Sequence, residues 1–254
     1  MRKLIYIAVC TSLVISFLAF QTQGGLTWKP LSKKDAGKIF ERTSAIFREM
    51  DSYTLRVSQC SYTDYQAMHE YEKQSGYFKK SGANYHSFLL GIHTIQNKKY
   101  KVVLDTASKT ICLNNPDHAM ESGMNQQQYS LMLNHFESLK VSDGLQEKHL
   151  RIEYPEGDPF HAAEITLGND TLVKEINYYY SHAVHSDPND KNSAKNKPRV
   201  KITFSDFKKN QKLNYSEEFD ESKYVVLAAG TKPQLTAKYK NYRLRDQRFQ
   251  ETKK

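Results

Sequence analysis

From Tyr53 onward, apolar residues return at every second position in short runs parted by turn residues, and a period of two makes a sheet the main structure of the chain. Tyr53, Leu55 and Val57 alternate with polar neighbours in a stretch rich in Thr, Val and Tyr. Further runs fall at 70–80, 85–95 and 99–105, divided by Ser81-Gly82 and by Gln96-Asn97-Lys98, and a fifth at 110–113 follows the polar turn 106–109. After Asn114-Asn115-Pro116 breaks this series, Leu150, Ile152 and Tyr154 alternate, as do Ala163, Ile165 and Leu167. Gly168-Asn169-Asp170 then turns the chain into 172–181, Val200, Ile202 and Phe204 start another strand, and extended runs recur at 223–227 and 239–244. Connections this short predict antiparallel neighbours.

Two segments carry a helical period instead. Ser32, with Asp35 three residues on, opens a capping-box-like start, and Ala36, Ile39, Phe40, Thr43, Ile46, Phe47 and Met50 form one stripe. Lys33, Lys34, Lys38, Glu41, Arg42 and Arg48 take the other side, so this helix is expected to lie over the sheet. The spacing of Tyr129, Met132, Leu133 and Phe136 predicts a second helix over 126–139. The polar segment 186–198 has no period and is expected to be a mobile loop. The pattern gives an α+β fold: a curled antiparallel sheet of about ten or eleven strands, covered by two or more helices, in a single domain over 26–254.

The first 25 residues stand apart. Arg2 and Lys3 precede seventeen uncharged residues, 4–20, and the polar stretch 21–25 ends the segment, the order of a secretory leader. Ala19 sits among Phe17, Leu18 and Phe20, a poor cleavage site, so the segment reads either as a cleaved signal peptide or as an uncleaved anchor. Either way the body is expected to face the periplasm, free or tethered to the inner membrane. Two of the 37 Lys+Arg lie in this segment, so the body sets 35 basic against 28 acidic residues, a net charge of +7. That balance suits contact with an anionic membrane surface or is ordinary surface solvation. No nucleic-acid-binding motif is present. Cys60 and Cys112, the two cysteines of the body, either pair in the oxidising compartment or stand as separate thiols.

The order of elements resembles the LolA/LolB superfamily of outer-membrane lipoprotein carriers. Three segments carry the resemblance: Met50-Asp51-Ser52-Tyr53, where a helix runs into a strand; Gly76-Tyr77-Phe78-Lys79-Lys80; and Lys101-Val102-Val103-Leu104-Asp105 followed by Thr110-Ile111-Cys112-Leu113. The resemblance spans roughly 32–249 and implies a divergent member. It implies an unclosed β-barrel capped by helices, a hollow that holds lipid or lipoprotein acyl chains, and no cofactor. In such carriers an arginine after the aromatic-lysine segment latches the helical lid; Lys80 stands there, with Ser81 in place of the usual proline, and a lysine lacks the planar fork that holds several carbonyls.

Leu55, Val57, Phe88, Leu90, Ile92, Val102, Leu104, Ile165, Leu167, Ile176, Ile202 and Phe204 are expected on the concave side, either lining a lipid cavity or filling a core. Lys79 and Lys80 are the candidates for the mouth of such a cavity. His182 and His185 lie near Asp187 and Asp190, but their odd spacing on an extended chain sends the two imidazoles to opposite faces, so no metal is expected. No motif of nucleophilic or metal-assisted catalysis occurs, and an enzyme is not expected. Two functions remain open: a carrier-like protein facing the periplasm that binds acyl chains, or a structural subunit of an envelope assembly that keeps the fold with its hollow filled and binds a protein partner along its strand edges.

Overall fold

The computed structural model describes residues 26–117, 132–185, 195–228 and 232–248. The leader, residues 126–131 of the expected second helix and residues 186–194 of the expected loop lie outside them. After the two-residue strand β1 (Lys29–Pro30), helix α1 (Lys33–Glu49) starts where the sequence pattern places it. The Ser32 hydroxyl accepts the Asp35 amide at 3.1 Å, taking up one of the donors a helix start leaves over.

Six strands follow in order, each paired with the next: β2 (Ser52–Tyr62), β3 (Glu72–Ser81), β4 (Asn84–Leu89), β5 (Ile92–Gln96), β6 (Lys101–Asp105) and β7 (Thr110–Asn114). A second meander is made of β8 (Ser138–Asp143), β9 (Glu147–Glu153), β10 (Phe160–Gly168) and β11 (Val173–Tyr180). The long strand β14 (Arg199–Lys209) pairs with β11 on one side and β2 on the other, and so joins the two meanders into one sheet. β1 pairs with β8 at one edge, and the late strand β17 (Arg243–Asp246) runs parallel to β7 at the other. The result is a curled, unclosed sheet of thirteen strands. The fold class expected from the sequence stands.

Several details differ from the expectations. The run 85–95 is two strands, because Leu90 (φ +53°) and Gly91 (φ +75°) form a two-residue hairpin turn with both residues left-handed. Leucine is not a residue that announces such a turn. The second helix stops early: residues 132–135 are helical, but 138–143 form β8, where Leu139 is buried opposite Ile152. The expected loop 186–198 is closed at its base by a hairpin of β12 (Val184–His185) and β13 (Lys195–Asn196). Of the late runs, β15 (Val225–Val226) pairs with β16 (Gln234–Leu235) in a small separate sheet.

Paired residues share a side of a sheet, so the register sorts the strands into two faces. The inner face, under α1, carries Tyr53 and Leu55, Phe78 and Lys80, Tyr85, and across β14 and β11 the row Val57–Phe204 and Ile202–Ile176–Ile165–Leu150. The outer face carries Lys79, His86, Ile95, Val102 and Leu113, the next row over. There the segment after β14 folds back, through α2 (Tyr215–Glu218) and two 3-10 turns, and buries Ile95, Val102, Leu104, Ile111 and Leu113 beneath Tyr224, Val225 and Tyr239.

Candidate functional site: the hollow under the first helix

Helix α1 covers part of the inner face and is tied to its surroundings at its start, halfway along and at its end. At its start, Ala36 and Phe40 pack with Leu133, Phe136, Leu139, Ile152 and Ala163, and the Leu31 amide donates to the Leu139 carbonyl at 2.8 Å. At its end, the Lys80 ammonium donates to the carbonyls of Met50 (2.8 Å), Phe47 (3.4 Å) and Arg48 (3.5 Å). The last carbonyls of a helix lack partners within it, and an ammonium with three donors at that end also meets the negative pole of the helix dipole. The expectation that lysine serves poorly here is therefore corrected: the carbonyls converge, and a planar fork is not needed. Halfway along, the Thr43 hydroxyl donates to the Thr171 carbonyl at 3.2 Å.

Between these ties the apolar stripe is not sealed. Ala36 is the one buried residue of α1, while Ile39, Phe40, Ile46 and Phe47 stay half-exposed. The sheet below matches it: Val57, Ile165, Ile176, Ile202, Phe204 and Phe207 are half-buried. Two cavities occupy this space. The larger, about 580 Å³, is walled on the helix side by Phe47, Leu55, Leu172, Phe204 and Phe207. The smaller, about 220 Å³, is bounded by Phe47, Tyr53, Phe78, Lys80, Tyr85 and Gln96. Phe47 belongs to both and stands between them. Its ring meets Tyr53 edge-on at 5.6 Å and Phe207 at 5.9 Å, and Tyr53, Phe78 and Tyr85 stack in sequence at 5.8 Å. Burial pushes the Tyr53 and Tyr85 hydroxyls up to about 12, so these walls carry no charge at neutral pH.

Eight of the twelve residues expected on the concave side are on the inner row: Leu55, Val57, Ile92, Ile165, Leu167, Ile176, Ile202 and Phe204; of these Leu55 and Phe204 line the larger cavity. Four are not. Phe88, Val102 and Leu104 lie on the outer face, because their neighbours Tyr85 and Lys101 occupy the inner row. Leu90 is in the hairpin turn, and Ile92 shares the inner row but is exposed at the end of the sheet. The aromatic residues Phe47, Tyr53, Phe78, Tyr85 and Phe207, missing from that expectation, form most of the wall. Their signal was present in phase: Tyr53 heads the alternation that includes Leu55, and Phe78 is two residues from Lys80.

Lys80 borders the smaller cavity, whereas Lys79 points to the outer face and is corrected as a mouth residue. Its ammonium lies 2.6 Å from Glu218 of α2, whose other oxygen is 3.3 Å from His86 Nδ1, while His86 Nε2 faces the Tyr77 hydroxyl at 3.0 Å. Burial holds the His86 imidazole below its ordinary value in spite of Glu218. Burial alone would raise the Glu218 carboxyl, but its bonds to Lys79 and His86 bring it below the usual range. This chain of bonds ties the C-terminal segment to the sheet.

Cys60 and Cys112 are both free thiols, on β2 and β7 with four strands between them, too far apart to bridge. The Cys60 thiol faces the Glu70 carboxylate at 3.3 Å. His182 and His185 lie at the base of the β12–β13 hairpin. Among the described residues no group of three His, Cys, Asp or Glu side chains gathers as a metal site would require, and no helix is long and apolar enough to cross a membrane.

No family model matches the chain, and no curated protein matches it either. Among solved structures it is similar to an uncharacterized conserved protein from Thermus thermophilus, at 8% identity over 83% of this chain and 98% of that one, with a TM-score of 0.43. It is also similar to the Mycobacterium tuberculosis lipoprotein LppX, at 10% identity over 72% and 99%, with a TM-score of 0.35. A LolA superfamily protein from Nitrosomonas europaea matches at 10% identity over 74% and 98%, with a TM-score of 0.29. These are distant likenesses, and nothing about this chain's cargo follows from them.

Proposed function

We propose that this protein is an exported, non-enzymatic, carrier-like holder of lipid or lipoprotein acyl chains, which it takes up in the hollow between α1 and the sheet. The observation that carries the reading is the unsealed inner face. The apolar stripe of α1 and the apolar row of the sheet both stay half-buried. Beside them a cavity of about 580 Å³ has an apolar end of Phe47, Leu55, Leu172, Phe204 and Phe207 and a polar end toward Glu147, Thr166, Glu175 and Ser205. That volume lies in the range of about 300–1,000 Å³ usual for small-molecule sites. An acyl chain needs no polar partner, and each methylene it removes from water contributes about 0.8 kcal/mol. Ten methylenes give a gross gain of about 8 kcal/mol, enough for micromolar binding before ordering costs are set against it. The basic body and the leader support a location at the periplasmic side of the envelope, in contact with a membrane surface and free or tethered. Native mass spectrometry of the purified protein before and after solvent extraction tests the reading. Bound lipid is expected to leave on extraction and to return on incubation with acyl lipids. A protein that never carries lipid, and whose inner face excludes an apolar fluorescent probe, would instead be a filled structural subunit of an envelope assembly, to be sought with its protein partner by crosslinking.

A further inference from the structure

The larger cavity does not stay on the side that α1 covers. β11 and β14 pair from Tyr179–Arg199 as far as Glu175–Thr203 and then part, although β11 begins at Val173 and β14 continues to Lys209. A bulge between Ser205 and Lys208, with Asp206 at φ +51°, bends β14 at that point. The two strands leave a slit through the sheet. On the inner side its walls are the rings of Phe47, Phe204 and Phe207; on the outer side they are Thr166, Thr203, Ser205 and Glu175. The register assigns the sides: Thr166 pairs with Glu175 and Glu175 with Thr203, one row over from Ile165, Ile176 and Ile202.

The outer end is polar and rich in carboxylates. Besides Glu147, Glu175 and Asp206 it carries Asp170, which accepts the Leu172 amide at 3.1 Å, and His149, which lies 3.2 Å from the Thr166 hydroxyl and 4.0 Å from Glu147. Lys174 lies 3.1 Å from Glu147, Arg56 3.1 Å from Asp206, and Lys201 3.9 Å from Glu175. Each of these cations already faces a carboxylate. An anionic group entering the slit would meet acidic side chains whose counter-ions are engaged, at the cost of desolvating a charge without a partner. Hydroxyl groups both donate and accept, and so suit the threonine and serine hydroxyls and the carboxylates alike.

We infer that the slit between β11 and β14 is a head-group site: the cargo's acyl chain lies under α1, and its polar end, an uncharged hydroxyl-bearing head of the glycerol-ester class, passes between the strands to the outer face. The inference rests on the acyl-binding reading above and adds which end of the molecule goes where. It is tested by displacing a neutral, apolar fluorescent probe from the full chain with monopalmitoylglycerol, palmitate or palmitylamine, each below its micelle concentration. Monopalmitoylglycerol is expected to displace the probe at a concentration about tenfold lower than either of the others. Thr203→Val, which keeps the strand and removes one hydroxyl, is expected to cut that preference about fivefold while leaving displacement by palmitate unchanged; Ser205→Ala serves as the second variant if the first does not fold. Equal or tighter binding of palmitate or of the amine overturns the head-group assignment, as does an unchanged preference in the variants. A chain that takes up the probe but shows no head preference overturns this inference alone, whereas a chain that takes up neither probe nor lipid overturns the acyl-binding reading with it.

Discussion

The two faces of this sheet are covered in different ways. On the outer face Ile95, Val102, Leu104, Ile111 and Leu113 are 3% exposed or less, under a segment that follows the surface in short turns and two-residue strands. On the inner face the cover is a seventeen-residue helix, and the apolar row of β2, β11 and β14 beneath it remains half-exposed. A segment that can bend at every few residues follows a curved sheet and fills it. A straight rod laid over a curled sheet touches it at separate points, as α1 does at Ala36, at Thr43 and at Lys80, and leaves space beside them, here around Phe47. Cover of the first kind buries a core, and cover of the second kind leaves a cavity.

The comparison breaks if the two apolar rows prove equally important for folding. Leu113→Ala on the outer face is expected to lower the unfolding free energy by about 2–5 kcal/mol, the usual cost of emptying a packed site, as read from urea denaturation. Lys80→Ala is expected to cost about 1–2 kcal/mol, since it leaves the carbonyls of Phe47, Arg48 and Met50 without their shared donor; Lys80→Arg should restore most of it. Ile202→Ala, on the inner face, is expected to cost about 1 kcal/mol or less while weakening probe binding severalfold. A loss for Ile202→Ala as large as that for Leu113→Ala would mean a packed inner face and no hollow.

The sequence made one of these faces easier to read than the other. Helix α1 was legible from its Ser32 cap to Met50, because its period and its cap agree, and so was the alternation of nearly every long strand. Period two tells which residues of a strand share a face, but not which face that is. Val102 and Leu104 were therefore placed in the hollow, when the register through Tyr85, Gln96 and Lys101 puts them on the far side. The misplacement was invited by the weak pattern of the chain's end. The extended runs at 223–227 and 239–244 are legible, but strands as short as β15 and β16 and single-turn helices leave too few residues to show which face of the sheet they cover. The slit between β11 and β14 was not legible for a similar reason: it comes from where pairing ends, and the alternation of Val200, Ile202 and Phe204 continues through that point unchanged.

Acidification sharpens the comparison by acting on one cover and sparing the other. The outer cover is held in part through His86, which lies between Tyr77 and Glu218 with Lys79 and His93 close by, and which burial keeps below its ordinary value. In the unfolded chain this imidazole titrates near about 6.5. As pH falls below that value the unfolded state takes up the proton first, so stability present at neutral pH declines and levels off only once the folded-state value is passed. The effect is expected to stay below about 1 kcal/mol, because Glu218 offsets part of the burial. The inner cover is held by bonds from Lys80 to backbone carbonyls, which do not titrate. Hydrogen exchange compared at pH 7 and pH 5.5, corrected for the intrinsic rate, is therefore expected to show a loss of protection around α2 and Tyr224 with α1 unchanged. His86→Gln should reduce the difference, and the remainder should go with His93, which burial also holds below its ordinary value. Equal loosening of α1 would show that the two covers are coupled through the strands they share.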